Sequence, residues 1–127
     1  MYQVDIDAAL VPGQEHQLSL NSPWFELVRD GKKTYEGRRN TPKIRQIQVN
    51  DIIKFRHHTD VSIEPFKVRV LSITKYSSFE KALMSLPIDQ VLPIPGITLQ
   101  QGIDIYQKYV SLKTQQRDGI VMIQLTL

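Results

Sequence analysis

The sequence contains no cysteine, so it can form neither disulfide bridges nor thiolate metal sites. No apolar run approaches the ~20 residues that a membrane-spanning helix needs. The first residues lack the basic leader and long apolar core of a signal peptide. There is also no glycine-rich phosphate loop and no G-x-S-x-G motif, so nothing supports nucleoside triphosphate hydrolysis. These absences predict a soluble intracellular protein, cytoplasmic, or nuclear if the source is eukaryotic or viral.

The length of 127 residues is enough for one domain and too short for two comfortable ones. We expect residues 16–127 to form that domain and residues 1–15 to be an N-terminal extension. Tyr2, Val4 and Ile6 alternate with polar residues, a pattern that suits an extra strand.

Positive charge is concentrated in one part of the chain. Residues 32–56 hold eight basic and two acidic residues, a net charge of +6, whereas the rest holds eight basic and eleven acidic residues, a net charge of −3. Such asymmetry indicates a basic face for an anionic partner, or else a solvated strand surface.

Three helices are expected from their end signals. The first begins at Ser22 as N-cap and ends at Gly31, which would take the left-handed conformation. Capping boxes at Ser77 and Thr98 predict helices that run to about residues 85 and 112. The proline-rich segment 86–96 predicts a loop or a few tight turns.

Five segments have the alternating pattern of strands. They are residues 17–20, 31–40, 51–56, 66–74 and 120–127. In the last of them we expect Val121, Ile123, Leu125 and Leu127 to face the core. Because strands and helices do not alternate regularly, the pattern favours an α+β fold of five to six strands and two to three helices, with a small curved or closed sheet.

The segment GKKTYEGRRN, residues 31–40, is the most unusual part of the sequence. On an extended strand Lys33 would lie on the face opposite to Glu36 and Arg38. A lysine suits a phosphate as a point charge, and an arginine offers a planar fork for a phosphate or a base edge. Glu36 could accept a hydrogen bond from an amino group of a base, so the combination suits a nucleotide. Alternatively, Glu36 pairs with Lys33 or Arg38 and closes a strand at a barrel seam.

Further candidates surround this segment. Arg39, Lys43 and Arg45 would contact phosphates at the rim of a cleft, or form a solvated basic turn. Trp24 would stack a base, or belong to the core. His57 and His58 are adjacent on a strand and point to opposite sides, so we expect no metal site and no cofactor.

Five blocks in order give the chain its resemblance to a known family: SPWFELVRDGKKTYEGR, IQVNDIIKF, VRVLSITKYSSFEKAL, VLPIPGITLQQGIDIY and GIVMIQL. Together they resemble the ASCH (activating signal cointegrator homology) domain family of the PUA-like superfamily, over residues 18–127. The most specific piece is the pattern G-x-K-x-x-E-x-R, filled by Gly31, Lys33, Glu36 and Arg38. The resemblance implies a small PUA-like β-barrel with a cleft beside the first helix that binds RNA or another nucleic acid.

One branch of the family hydrolyses N4-acetylcytidine with a Lys in this pattern, a Thr three residues on and a Glu before the last helix. Here Lys33 is present, but Glu36 stands in the Thr position, and no Glu lies near Pro95 and Gly96. The resemblance therefore disfavours that activity. Ribonuclease activity is ascribed to some longer members.

Three functions are open at this point. The first is a nucleic-acid-binding protein whose partner is single-stranded RNA, with no membrane association. The second is a small enzyme that acts on RNA or a modified nucleoside, with Lys33 and Glu36 as the catalytic candidates. The third is a barrel that binds a small molecule or another protein.

Overall fold

The computed structural model describes residues 13–127, so the expected extra strand in the N-terminal extension lies outside the described residues. The five strands are β1 (Glu15–Leu20), β2 (Tyr35–Arg39), β3 (Ile52–His57), β4 (Phe66–Tyr76) and β5 (Ile120–Thr126). The six helices in this range are α1 (Trp24–Arg29), α2 (Pro42–Arg45), α3 (Phe79–Ser85), α4 (Ile88–Val91), α5 (Leu99–Tyr109) and α6 (Leu112–Asp118).

The strands form one sheet in the order β1-β3-β4-β5-β2. Only β1 and β3 run parallel, and every other pair is antiparallel. The sheet curls into a half-barrel, so its two edge strands, β1 and β2, face each other across an open seam. The predicted α+β class with a small curved sheet is confirmed, whereas the described residues contain six helices instead of the two to three expected.

The long strand β4 makes the curl possible. Its first residues pair with β3 and its later residues pair with β5. The register with β5 shifts between Val70 and Ser72, where Leu71 is exposed. A bulge of this kind bends a strand and increases its twist, which turns the sheet toward closure.

Apolar residues pack on both faces of β5, which corrects the expectation of a single core face. Ile123 and Leu125 belong to a cluster inside the half-barrel, with Phe25, Ile53 and Phe55. The neighbouring residues Ile120 and Met122 belong to a second cluster under helices α3, α4 and α5. Leu127, which we expected in the core, is 67% exposed.

Local signals placed some helix ends correctly and missed others. The capping box at Thr98 and the left-handed Gly31 are confirmed. The cap expected at Ser77 is wrong by one residue, because Ser78 accepts the hydrogen bond from the Lys81 amide. Ser22 is not a cap, since its hydroxyl donates to the carboxylate of Glu26 four residues on.

Two helices differ from the sequence-based expectation. The proline-rich segment contains the short helix α4, which buries Val91. The helix expected to reach residue 112 ends at Tyr109, and Ser111 caps the separate helix α6.

A buried carboxylate ties the start of β1 to the turn before β3. Asp51 accepts hydrogen bonds from the amides of Gln14 and Gln48, at 3.1 and 2.9 Å, and pairs with Nε2 of His16 at 2.7 Å. Burial acts to raise the pKa of Asp51, but these hydrogen bonds outweigh it and lower the pKa below its usual value. Within residues 13–127, none of the helices has the length and apolar character needed to cross a membrane.

Candidate functional site

The seam between the two edge strands opens into a cleft of about 670 Å³. Residues of β1 and β2 form its sides, and helices α1 and α5 cover one flank. A volume of this size lies within the range of roughly 300–1,000 Å³ that is typical of ligand clefts. Three residues of the G-x-K-x-x-E-x-R segment, Lys33, Glu36 and Arg38, line this cleft, as the family resemblance implies.

Lys33 lies at the floor of this seam cleft and is only 2% exposed. Its ammonium group donates to the carbonyl of Tyr35 at 2.7 Å and to the carbonyl of Val91 on α4. It also lies 3.6 Å from Oε1 of Glu36 and 5.7 Å from the ring centroid of Trp24. Burial lowers the pKa of Lys33, and the charge of Glu36 offsets part of that effect.

Glu36 and Arg38 connect the two edges of the sheet. Nε of Arg38 donates to Oε2 of Glu36 at 2.7 Å, and Nη2 donates to the Ser19 carbonyl on β1 at 2.8 Å. Because β1 and β2 do not pair, this guanidinium group spans the seam. Glu36 thus pairs with Lys33 and Arg38 at the seam, as in the second of the two interpretations given above.

The alternation that we expected does not separate Lys33 from Glu36. Regular strand geometry begins only at Tyr35, so Lys33 belongs to the bend after α1 and turns toward the carboxylate. The result is a buried cluster of Lys33, Glu36 and Arg38, which carries a net charge of +1.

Exposed basic side chains line the rim of the seam cleft. Arg39 and Lys43 are among them, as expected, and so is Arg56, which was not expected at the site. The exposed imidazole of His58 lies there too. Arg45 does not line the cleft, and its Nη1 donates to the Asn40 carbonyl at 3.4 Å. Arg56 reaches the cleft because β3 pairs in parallel with β1, which aligns Arg56 with Ser19.

Aromatic and apolar side chains also line the cleft. Trp24 is one of them, packed against both core clusters. Tyr106 stacks on Phe79 with ring centroids 4.0 Å apart. Its hydroxyl is buried without a hydrogen-bond partner in the described structure, and burial together with the charge of Glu36 raises its pKa well above the usual value. Gly37 faces this pair, since a Cβ there would lie 2.7 Å from a Phe79 ring carbon.

The histidines do not form a metal centre. His57 packs edge-on against Phe25, while its neighbour His58 lines the cleft. Across residues 13–127, no three His, Cys, Asp or Glu side chains come together in a way that could hold a metal ion.

The sequence matches a known protein family. A family model for the ASCH domain matches residues 18–127. The chain belongs to the ASCH domain family. No curated protein matches the sequence closely enough to count as a relative.

Solved structures extend the likeness across most of this ASCH domain. The hypothetical protein PH0355 is 31% identical with a TM-score of 0.76, over 88% of this chain and 97% of that one. Protein PF0455 from Pyrococcus furiosus is 30% identical with a TM-score of 0.68, over 88% and 96%. The ASCH protein from Zymomonas mobilis is 18% identical with a TM-score of 0.64, over 90% and 68%, which shows a shared fold.

Proposed function

We propose that this ASCH domain binds nucleic acid in the seam cleft, and that its ligand is single-stranded RNA. The observation that carries the proposal is the mixed lining of one cleft, which combines exposed basic side chains with aromatic and apolar side chains. A nucleotide matches both kinds of lining, since its phosphate is anionic and its base is flat and apolar on both faces.

Arg39, Lys43 and Arg56 are the groups suited to phosphates, because they are exposed and line the rim. Arg38 uses Nε and Nη2 within the protein, which leaves Nη1 for a phosphate or a base edge. Glu36 keeps acceptor capacity on Oε1, since the ammonium of Lys33 is 3.6 Å away. An amino group of a base would find its acceptor there.

Lys33 supports the cleft and, in this proposal, does not contact phosphate. Two of its three donors are held by backbone carbonyls, and the carboxylate of Glu36 lies near the third. These contacts fix the amine against the backbone and support a structural role for Lys33 in the binding proposal.

The test is fluorescence-anisotropy titration of labelled single-stranded RNA and matched DNA across a salt series. Replacing Arg39 and Lys43 together by Gln removes two rim cations while the buried cluster stays intact. Because single strands lose affinity with a slope of about −0.7 per neutralised phosphate, the slope should become shallower by roughly 1.4. Arg29→Gln is the matched control, since Arg29 is exposed, pairs with Asp30 and does not line the cleft.

Equal affinity and equal salt slope in the wild type and the rim variant would contradict the proposal. If DNA binds more tightly than RNA, the seam cleft remains the proposed binding site but RNA is not its preferred ligand. The choice of RNA rests on family membership alone. A cytoplasmic location and a domain boundary at residue 16 stay predictions from the sequence.

A further inference from the structure

Tyr109 has a largely exposed side chain whose hydroxyl accepts a hydrogen bond from another part of the chain. Its side chain lies at the end of α5 on the lip of the seam cleft and is 64% exposed. Its hydroxyl is nevertheless held, because Nε1 of Trp24 donates to it at 3.2 Å across 85 positions of sequence. The ring is therefore open to the cleft while its outer end is fixed.

The group that holds Tyr109 is itself firmly placed. Trp24 packs against both core clusters, and the ammonium of Lys33 lies 5.7 Å from its ring centroid. One turn earlier on α5, Tyr106 is buried against Phe79 and fixes the helix. An aromatic ring held in this way loses little conformational entropy when a flat partner covers it.

We propose that the exposed ring of Tyr109 stacks an unpaired base of the bound strand, with Trp24 as the positioning residue that orients the ring. This inference rests on the proposed function and adds the residue that receives the base. The rim cations hold the flanking phosphates, and one base of the strand turns toward α5. Since every base has a flat face, this contact adds affinity without strong sequence preference.

A role in stability does not account for Tyr109. Exposed side chains outside special features change stability by less than about 0.5 kcal/mol when substituted. Tyr109→Leu should thus fold as the wild type does, which circular dichroism and thermal unfolding would verify.

The experiment compares two probes by anisotropy. One is a labelled single-stranded RNA of about eight nucleotides, close to the smaller site sizes of single-strand binders. The other is a strand of equal length in which stable abasic spacers replace all bases, so that no shift of register restores a stacking partner. The variants are Tyr109→Leu, Tyr109→Phe and Trp24→Phe, with Leu112→Ala as the control, because Leu112 is an exposed apolar residue outside the cleft.

The wild type should bind the intact strand roughly tenfold or more tightly than the abasic strand. Tyr109→Leu should remove most of that preference without changing affinity for the abasic strand or the salt slope. Tyr109→Phe loses the hydroxyl and Trp24→Phe loses the indole N–H, so each removes the hydrogen bond between the two residues. Both should reduce the preference to a similar extent, and less than Tyr109→Leu does, because the ring of residue 109 is still present.

Two results would overturn the inference separately. If Tyr109→Leu keeps the full preference for bases while the rim variant loses affinity, the cleft binds nucleic acid but Tyr109 stacks nothing. If the wild type binds neither strand, the proposed function fails and this inference fails with it.

Discussion

Replacing Glu36 with Gln tests whether the buried charge cluster holds the seam together. The carboxylate is 8% exposed and faces two cations, Nζ of Lys33 at 3.6 Å and Nε of Arg38 at 2.7 Å. A glutamine has nearly the same shape but no charge, so Lys33 would remain buried without a compensating anion. Arg38 suffers less, because a quarter of its side chain is exposed to water.

The expected cost lies at the lower end of the range for a broken buried ion pair, about 3 kcal/mol. The lower end applies because two donors of Lys33 keep their carbonyl partners and because the separation from Glu36 is long for an ion pair. For a domain of this size the loss corresponds to a fall in Tm of about 10 °C. Urea unfolding and calorimetry measure both quantities.

The stability of the Glu36→Gln variant should depend on pH through the protonation of Lys33. Burial already lowers the pKa of Lys33, and loss of the Glu36 charge lowers it further. In the unfolded chain the lysine keeps its proton up to about pH 10.4. Between the folded-state pKa and that value the unfolded state binds more protons, so the stability of Glu36→Gln rises with pH. The deficit relative to wild type therefore shrinks in alkaline buffer.

A double-mutant cycle with Lys33→Met isolates the pair. In that background the buried ammonium is gone, so Glu36→Gln should cost less than in the wild type by about 2 kcal/mol. Strictly additive effects, or a loss below about 0.5 kcal/mol for Glu36→Gln alone, would refute the view that these charges depend on each other.

Three further substitutions probe the surroundings. Asp51→Asn should lower the free energy of unfolding by about 2 kcal/mol at neutral pH, because it replaces a carboxylate that accepts three hydrogen bonds. Since the folded-state pKa of Asp51 is lowered, the difference from wild type should vanish as the pH falls through that pKa. Urea unfolding from pH 7 to pH 2 checks both expectations. Gly37→Ala should cost about 1–3 kcal/mol, since its Cβ would meet Phe79, and an unchanged Tm would contradict the packing. Gln115→Leu should cost roughly 2 kcal/mol by unpairing the Phe79 amide and the Val110 carbonyl, measured by calorimetry, with a neutral result counting against both bonds.

Features set by neighbouring residues could be predicted from the sequence. The capping box at Thr98 and the left-handed Gly31 depend on side chains and backbone within a few positions. The alternating patterns of the strands indicated the sheet for the same reason. The G-x-K-x-x-E-x-R pattern indicated the cleft because Lys33, Glu36 and Arg38 lie within six positions, on the edge strand β2 and the bend before it.

Features set by pairing between distant strands could not be predicted. Arg56 reaches the seam cleft only because β3 aligns in parallel with β1, and local sequence does not specify that register. Tyr109 had no signal as a candidate site residue, since its hydrogen bond from Trp24 joins residues 85 positions apart. Lys33 was assigned to the wrong face because strand geometry begins two residues later.

A nuclear magnetic resonance titration of the ¹⁵N-labelled protein with single-stranded RNA tests whether RNA binds in the seam cleft. The amide signals of Gly37 and Arg39 on β2 and of Tyr109 on α5 should shift together and saturate at one ligand concentration. Signals of Val61 and Met84, which are exposed but do not line the cleft, should stay in place. Shifts confined to residues outside the seam cleft, with Gly37 and Tyr109 unmoved, would contradict the central claim.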